Sequence, residues 1–519
     1  MWLSWLLCLS VLSVDARGSL AGRTFDGPTI DIPEGFLIGA GSAAFQIEGS
    51  ENADGKGPSV LDGLDTKGAA DSYRRYKEDV RAIKDLKLQA YRFSVSWPRV
   101  LPDGDSKKPN QAGVDYYNNL INELIDNGIQ PMITMLHYDL PLEVRKKTGG
   151  WTDRRMVDAF AEYGDFLFEN FGDRVKLWTT VNEPNYYCMS SAMGGGGQNP
   201  GDDYKCVHHV ILAHMKTYRI YQMKYKAIQQ GKVGTAALAL WATPNTTSYD
   251  DIQAAERTNL FMLGLMYHPV VFGDYPPAVR ERVDHYSRLE GRNESRLPHF
   301  TAVERKHLIG STDFLCFNAY MGNIVADSTY EPHPAAGTMA TDRDSVEVGT
   351  DSTPGNFGGQ FMRADPKVLR EAPLWIHRNY KMPIMITENG WADQRGGTGD
   401  NDPRHDSPRA PYHSVYLQEL LRVQREDGVD VLGYMVWSLL DSFEWSAGFS
   451  RKFGLVYVDY ETGSLNRTLK DSSWFFQYMG ENRKVPVLEF NFDFSSGATR
   501  TLSALTFAVI AAATVLWWA

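Results

Sequence analysis

Eight short runs of apolar and β-branched residues recur along the chain, and longer segments with helical spacing separate them. The runs cover residues 36–41, 90–96, 131–136, 177–181, 233–240, 314–317, 384–387 and 432–436. Helical spacing is clearest over residues 71–86, 114–127, 156–171, 208–229 and 412–427. Strands that alternate with helices predict a parallel sheet with helices outside it. We therefore predict an α/β protein with a single (β/α)8 barrel of the TIM type.

Polar and aromatic residues stand within or shortly after the predicted strands. They are Gln46, Arg92, His137, Asn182, Glu183, Asn318, Tyr320, Glu388, Trp437, Glu444 and Trp445. In (β/α)8 barrels the active site lies at the carboxyl ends of the strands. These side chains are therefore expected to meet at one end of the barrel.

Two of these residues, Glu183 and Glu388, form a pair that suits the cleavage of a glycosidic bond. That reaction needs a proton for the leaving oxygen and a carboxylate against the positive charge that develops at the anomeric carbon. One glutamate at a strand end is more often a salt-bridged or solvated group. Two that end the fourth and seventh strands favour catalysis.

The neighbours of the two glutamates allow roles to be assigned. Arg92 and Tyr320 are predicted to donate hydrogen bonds to Glu388, with Asn318 grouped beside them, so Glu388 is the predicted nucleophile. The negative charge of Glu388 would raise the proton affinity of Glu183, which is the predicted acid/base.

The remaining polar and aromatic residues suit the recognition of a sugar. A lone His or Trp is more often part of the core, but here several share one end of the barrel. Amide, imidazole and carboxylate groups bind ring hydroxyls, and indole faces pack against a pyranose. The predicted sugar contacts are Gln46, His137, Asn182, Trp437, Glu444 and Trp445.

Both ends of the 519-residue chain are apolar. Residues 1–17 are expected to be a secretory signal peptide, with a buried first helix as the alternative. Small residues at 495–498 precede an uncharged tail, residues 501–519, which predicts a glycolipid-attachment signal, with a single-pass membrane anchor as the alternative. Residues 30–484 would form the catalytic domain and residues 485–500 a spacer. The protein is thus expected on the outer face of the cell membrane.

Charge and cysteine content narrow the picture further. The net charge of −11 argues against a nucleic-acid partner. Without Cys8, which lies in the leader, three cysteines remain, and Cys188 with Cys206 is the pair close enough in sequence to suggest a disulfide. The sequons at Asn245, Asn293 and Asn466 are candidate glycosylation sites.

Six segments between about Ile32 and Met479 resemble glycoside hydrolase family 1, the β-glucosidase family, and are most similar to its animal members, particularly those of insects. These segments are FQIEG at 45–49, YRFSVSWPR at 91–99, HYDLP at 137–141, NEP at 182–184, ITENG at 386–390 and WSLLDSFEW at 437–445. The resemblance implies a retaining enzyme that hydrolyses small β-glycosides, with Glu183 as acid/base, Glu388 as nucleophile, and neither a metal nor an organic cofactor. β-Glucosides are the expected substrates, with β-galactosides and β-fucosides as further candidates.

Four positions depart from the family pattern. Tyr138 stands where Trp is usual, Leu142 where Gln is usual, Leu61 where Trp is usual and Ala319 where His is usual. These departures concern the glycone preference and turnover more than the reaction class.

Three alternatives to a simple β-glucosidase follow. A transglycosidase would pass the glycosyl group to an alcohol. A thioglucosidase also fits, because insect thioglucosidases (myrosinases) resemble this pattern. A sugar-binding surface protein without activity would keep the barrel alone, although such a protein has no need of a matched acid and nucleophile.

Overall fold

The computed structural model describes residues 25–190, 195–197, 199–329, 337–349, 353–354, 363–393 and 402–490. The predicted signal peptide and the predicted tail lie outside these ranges. Among the helices within them, none is both long enough and apolar enough to cross a membrane.

Eight parallel strands form the centre of the molecule. They are β1 Leu37–Gly41, β2 Ala90–Ser94, β3 Gln130–Leu136, β4 Leu177–Val181, β5 Lys232–Pro244, β6 Phe314–Asp327, β7 Ile384–Asn389 and β8 Val431–Trp437. Each strand pairs with the next, β8 pairs with β1, and the ring is therefore closed. The predicted (β/α)8 barrel is confirmed.

Helices surround the barrel and connect its strands. The longer ones are Ser72–Asp85, Gln111–Asp126, Arg155–Phe171, Asp202–Ile220, Tyr249–Asn259, Pro277–Leu289, Val368–Tyr380, Arg409–Asp427 and Ser473–Asn482. Shorter helices are Ala44–Ile47, Trp97–Val100, Leu142–Thr148, Pro184–Tyr187, Lys226–Gln229, Leu265–Phe272 and Ala302–Leu308. The helix predicted at 208–229 begins at Asp202, because the negative charges of two aspartates in the first turn interact favourably with the positive end of the helix dipole. It is interrupted by a π-helical turn at Tyr221–Tyr225.

Short strands lie outside the ring. Ser345–Gly349 pairs antiparallel with β6, Val456–Val458 with Arg467–Leu469, and Thr353–Pro354 with Arg363–Ala364. Thr29–Asp31 pairs with Lys484–Pro486, and Phe490 packs edge-on against Trp391. Residues 485–490, which the sequence assigned to a spacer, therefore belong to the folded body, because Val485, Leu488 and Phe490 pack on its hydrophobic core.

The barrel interior changes from apolar to polar along its axis. One buried cluster contains Ala90, Met132, Leu177, Ala236, Phe314, Cys316, Met385 and Met435. Alternate residues of a strand face the same side. Two positions after members of this cluster the strands carry Arg92, Thr134, Asn318 and Trp437. The apolar layer thus supports a polar layer at the carboxyl ends of the strands.

Candidate active site

A cavity of about 320 Å³ opens at the carboxyl ends of the barrel strands. Its lining includes Glu183 and Glu388, both buried, together with Trp437. The other lining residues are His137, Tyr138, Asn182, Tyr186, Leu238, Leu240, Tyr320, Met321, Glu444, Trp445, Ser446, Arg451 and Phe453. Most of the predicted site residues therefore meet in one place.

Glu388, the predicted nucleophile, accepts one hydrogen bond at each carboxylate oxygen. Arg92 Nη1 donates to Oε1 at 2.5 Å, and the Tyr320 hydroxyl donates to Oε2 at 2.6 Å. Both bonds were expected from the sequence. The carbonyl of Tyr320 accepts the hydroxyls of Tyr412 and Tyr416, which hold that segment of β6 in place. Two donors, one of them cationic, thus hold both carboxylate oxygens in place.

Glu183, the predicted acid/base, lies at the start of the short helix Pro184–Tyr187. Asn318 Nδ2 donates to its Oε1 at 2.8 Å, and the Tyr138 hydroxyl donates to its Oε2 at 2.7 Å. The sequence grouped Asn318 with the supports of Glu388. The structure corrects this grouping, because Thr387 Oγ1 donates to Asn318 Oδ1 and turns the amide nitrogen toward Glu183.

The surroundings of Glu183 change its acidity. Burial and the negative charge of Glu388 raise the pKa of Glu183 to about 7, against the opposing effects of Asn318, Tyr138 and Arg92. A carboxyl group with this pKa can donate a proton near neutral pH and accept one afterwards. This matches the demands on an acid/base residue.

Asn182 connects the two glutamates. Its Oδ1 accepts from Arg92 Nη2 at 2.7 Å and from Asn318 Nδ2 at 3.1 Å, and its Nδ2 lies 3.2 Å from His137 Nε2. Burial and the charge of Arg92 hold the pKa of His137 well below its usual range, so the imidazole is neutral. Because Nε2 accepts from Asn182, the proton lies on Nδ1, which is buried and has no partner among the described residues. The His137 side chain itself lines the cavity.

Gln46 and Glu444 form a second polar group. Gln46 Nε2 donates to the carbonyl of Phe443 at 2.7 Å and lies 3.3 Å from Glu444 Oε1, which also accepts from Ser442. Burial, followed by the charge of Glu388, raises the pKa of Glu444 to about 8, although Ser442 opposes the shift. Gln46 stands behind Glu444 and is not itself part of the cavity lining.

Aromatic rings form one wall of the cavity. Trp437 stacks on His137 with a centroid distance of 5.7 Å, and Trp445 stacks on Phe45 at 6.2 Å. Both indoles line the cavity beside Glu444. Flat rings beside hydrogen-bonding groups are the arrangement that binds a pyranose.

Sequence reasoning missed several lining residues. Tyr186, Leu238, Leu240 and Met321 line the cavity with Glu183. Tyr138, which the sequence marked only as a departure from the family pattern, bonds directly to that glutamate. Their positions next to predicted strand ends were the available signal, but an apolar residue at such a position resembles any core residue.

The cysteine prediction is confirmed. Cys188 and Cys206 form a disulfide with a Cα–Cα distance of 5.5 Å, and Cys316 is a buried free thiol. The bond joins the segment after Glu183 to the helix Asp202–Ile220.

A (β/α)8 barrel with paired glutamates and the predicted sugar contacts at the strand ends is the arrangement expected of a glycoside hydrolase. The model of Glycosyl hydrolase family 1 matches residues 29–485, and the chain belongs to that family. It is 38% identical to Beta-glucosidase 42 of Arabidopsis thaliana over 86% of this chain and 94% of the relative. It is 39% identical to Myrosinase 1 of Brevicoryne brassicae over 86% and 97%. The crystal structure of a rice β-glucosidase matches with a TM-score of 0.79 at 36% identity, covering 86% of this chain and 98% of that one.

Proposed function

We propose that this glycoside hydrolase is a retaining β-glucosidase that acts by double displacement. Glu388 attacks the anomeric carbon while Glu183 protonates the leaving oxygen, and the resulting glycosyl ester is then hydrolysed by a water that Glu183 deprotonates. The different surroundings of the two glutamates support the proposal. Glu388 lies between two donors, whereas burial and Glu388 raise the pKa of Glu183 to about 7.

The aglycone is proposed to be apolar and uncharged. Because Glu183 must face the leaving oxygen, the aglycone lies on its side of the cavity, next to Tyr186, Leu238, Leu240 and Met321. Asn185 holds this part of the lining in place, because its side chain accepts from the N–H of Leu238 and donates to the carbonyl of the same residue. Arg451, a cation in the lining, lies near Glu444. An aryl or other apolar β-glucoside fits this wall better than an anionic thioglucoside.

The test is the initial rate of hydrolysis of nitrophenyl β-D-glucoside, β-D-galactoside and β-D-fucoside and of a glucosinolate. The variants are Glu388→Gln, Glu183→Gln and, as a surface control, Glu143→Gln. We expect the glucoside to be cleaved fastest and Glu388→Gln to lose activity by on the order of 10⁴-fold. Full activity in Glu388→Gln would refute the mechanism. Faster cleavage of the glucosinolate would instead favour a thioglucosidase, as the similarity to a myrosinase allows.

Transglycosylation is tested in the same assay. The chain is also 36% identical to a cyanidin 3-O-glucoside 7-O-glucosyltransferase of Delphinium grandiflorum. Adding an alcohol acceptor to the reaction separates the two outcomes. We expect free glucose as the main product, whereas an alkyl glucoside as the main product would identify a transglycosidase.

We also propose that the protein is exported, glycosylated and held at the outer cell surface. The apolar end segments support this, and so does the Cys188–Cys206 disulfide, which is typical of oxidising compartments. The sequon asparagines 245, 293 and 466 are all exposed. Phosphatidylinositol-specific phospholipase C should release the activity from intact cells. Retention on the membrane after that treatment would favour a transmembrane anchor, and a glycan-free protein in the cytosol would overturn the proposal.

A further inference from the structure

Tyr138 follows β3 at a position where the family usually carries Trp. Its hydroxyl donates to Glu183 Oε2 at 2.7 Å and accepts from Asn182 Nδ2 at 3.2 Å. A tryptophan has no hydroxyl oxygen and cannot accept a hydrogen bond. Tryptophan could donate to Glu183 through its indole N–H but could not also accept from Asn182, so the hydroxyl of Tyr138 links Asn182 to Glu183 in a way that the usual residue would not.

Packing holds the Tyr138 ring in one position. It is 2% exposed and stacks on Tyr187 with a centroid distance of 5.0 Å and an interplanar angle of 18°. Trp445 packs against it at 5.3 Å, and His137 meets it edge-on at 5.0 Å. With neighbours on these sides the ring is confined, so the hydroxyl stays beside Glu183 Oε2.

The other oxygen of Glu183 has a fixed hydrogen-bonding role. Oε1 accepts from the amide nitrogen of Asn318, and Thr387 fixes the orientation of that amide. An amide nitrogen only donates, so Oε1 faces a donor in both protonation states of Glu183. The Tyr138 hydroxyl beside Oε2 can both donate and accept, so Oε2 is the oxygen whose surroundings admit the proton that moves during catalysis.

We propose that Tyr138 is a positioning residue that fixes Oε2 of Glu183 as the proton-carrying oxygen and stabilises the carboxylate left after proton transfer. This inference rests on the assignment of Glu183 as acid/base in the proposed function. It adds a residue to the proton-transfer apparatus and predicts how the rate depends on the leaving group.

The chemistry of the first step explains the effect. A Glu388 oxygen bonds to the anomeric carbon, the bond from that carbon to the leaving oxygen breaks, and its electron pair goes to the leaving oxygen. The Oε2 proton of Glu183 moves to that oxygen, and Glu183 becomes a carboxylate. A hydroxyl bonds more strongly to a carboxylate than to a neutral acid, so the bond from Tyr138 strengthens as the proton leaves.

In the second step the proton moves back. A water oxygen bonds to the anomeric carbon, its proton returns to Glu183 Oε2, and the bond to Glu388 breaks with the electron pair returning to that carboxylate. Tyr138 again keeps Oε2 aimed at the reacting oxygen. A substrate whose leaving oxygen needs no proton therefore gains nothing from Tyr138 in the first step.

The experiment compares Tyr138→Phe with Tyr187→Phe, a control that loses a buried hydroxyl from the neighbouring ring. Values of kcat/KM are measured from pH 5 to 9 for phenyl β-D-glucoside, a poor leaving group, and 2,4-dinitrophenyl β-D-glucoside, a good one. For Tyr138→Phe we expect about a tenfold loss with the phenyl substrate, less than about twofold with the dinitrophenyl substrate, and a basic limb about one pH unit higher. Tyr187→Phe should leave the substrate ratio and the limb unchanged.

Tyr138→Leu removes the hydroxyl and leaves no side-chain donor, and it should shift both readouts in the same direction if Tyr138→Phe does not fold. An unchanged substrate ratio and an unchanged basic limb in a folded Tyr138 variant would overturn the inference, as would the same changes in Tyr187→Phe. If the wild type cleaves both substrates in that case, the proposed function survives. A wild type that cleaves neither substrate would overturn both proposals.

Discussion

Arg92 distributes its hydrogen bonds among three strand ends of the barrel. It donates to Glu388 on β7, to Asn182 directly after β4 and to Thr134 on β3. The planar guanidinium fits these acceptors at fixed angles, whereas a lysine ammonium is a point charge on a flexible stem. Replacing Arg92 with lysine therefore keeps the positive charge near Glu388 but changes the geometry of the hydrogen bonds.

We expect Arg92→Lys to lower kcat by about 10²-fold or more, because the charge remains but at least one of the aligned bonds is lost. Steady-state kinetics on nitrophenyl β-D-glucoside measure this. Arg155→Lys is the control, since Arg155 makes a similar two-point contact to Asp153 at the exposed surface. Equal activity in the two variants would mean that only the charge of Arg92 matters.

The acidity of Glu183 predicts the pH dependence of the enzyme. Glu183 must carry a proton in the first step, and its pKa is raised to about 7. The protonated fraction therefore falls as pH rises through 7, and kcat/KM for phenyl β-D-glucoside should fall with it. In Glu183→Gln the residual kcat/KM should not fall as pH rises through 7. If the same fall persists in that variant, it is caused by the titration of another group.

At the residue level the sequence identified the two glutamates because they end β4 and β7. The partners of each glutamate were harder to predict. Asn318 ends up beside Glu183 because Thr387 orients its amide, and Tyr138 reaches the same glutamate because Tyr187 and Trp445 hold its ring. Strand position decides which residues meet, whereas side-chain rotamers decide which atoms touch.

At the scale of elements, a buried ion pair holds the segment after β8. Asp441 accepts from Lys470 Nζ at 2.7 Å and from the N–H of Gly454, and both ionic side chains are almost fully buried. Glu444 and Trp445 lie three and four residues after Asp441 in the chain. This pair therefore anchors the segment that leads to the sugar contacts.

We expect Lys470→Met to lower the free energy of unfolding by about 3–5 kcal/mol, because it leaves the charge of Asp441 buried without its partner. Chemical denaturation measures the change. Lys146→Met is the control, since Lys146 pairs with Glu143 at the surface with a side chain 60% exposed and should change stability by less than about 1 kcal/mol. If Lys470→Met also lowers the free energy of unfolding by less than about 1 kcal/mol, the ion pair with Asp441 does not stabilise the fold as expected.

The strands of the barrel could be predicted almost to their ends. The largest differences are at β5 and β6, which continue to Pro244 and Asp327, well past the predicted ends at 240 and 317. Residues 241–244 pair with residues 322–325 beyond the ring. Their mixed polarity gives no strand pattern, because this pairing depends on a partner distant in sequence.

For the whole molecule, the Cys188–Cys206 disulfide constrains the unfolded chain. It closes a loop with a sequence separation of 18 residues. For a loop of this length the chain-entropy model gives a stabilisation of about 3 kcal/mol. We expect Cys188→Ser/Cys206→Ser to lose about that amount in chemical denaturation. Reductant should destabilise the wild type and leave the double variant unaffected, and an equal response of both would contradict the prediction.

The extension of β5 and β6 beyond the ring separates substrate choice from chemistry. Leu240 and Met321 lie where the two strands leave the barrel, whereas Glu183 and Glu388 lie on other strand ends. Backbone pairing holds this extension whatever side chains it carries. Mutation can therefore vary the proposed aglycone wall while the two glutamates stay intact, so one ancestral barrel can diversify into enzymes for many different glycosides.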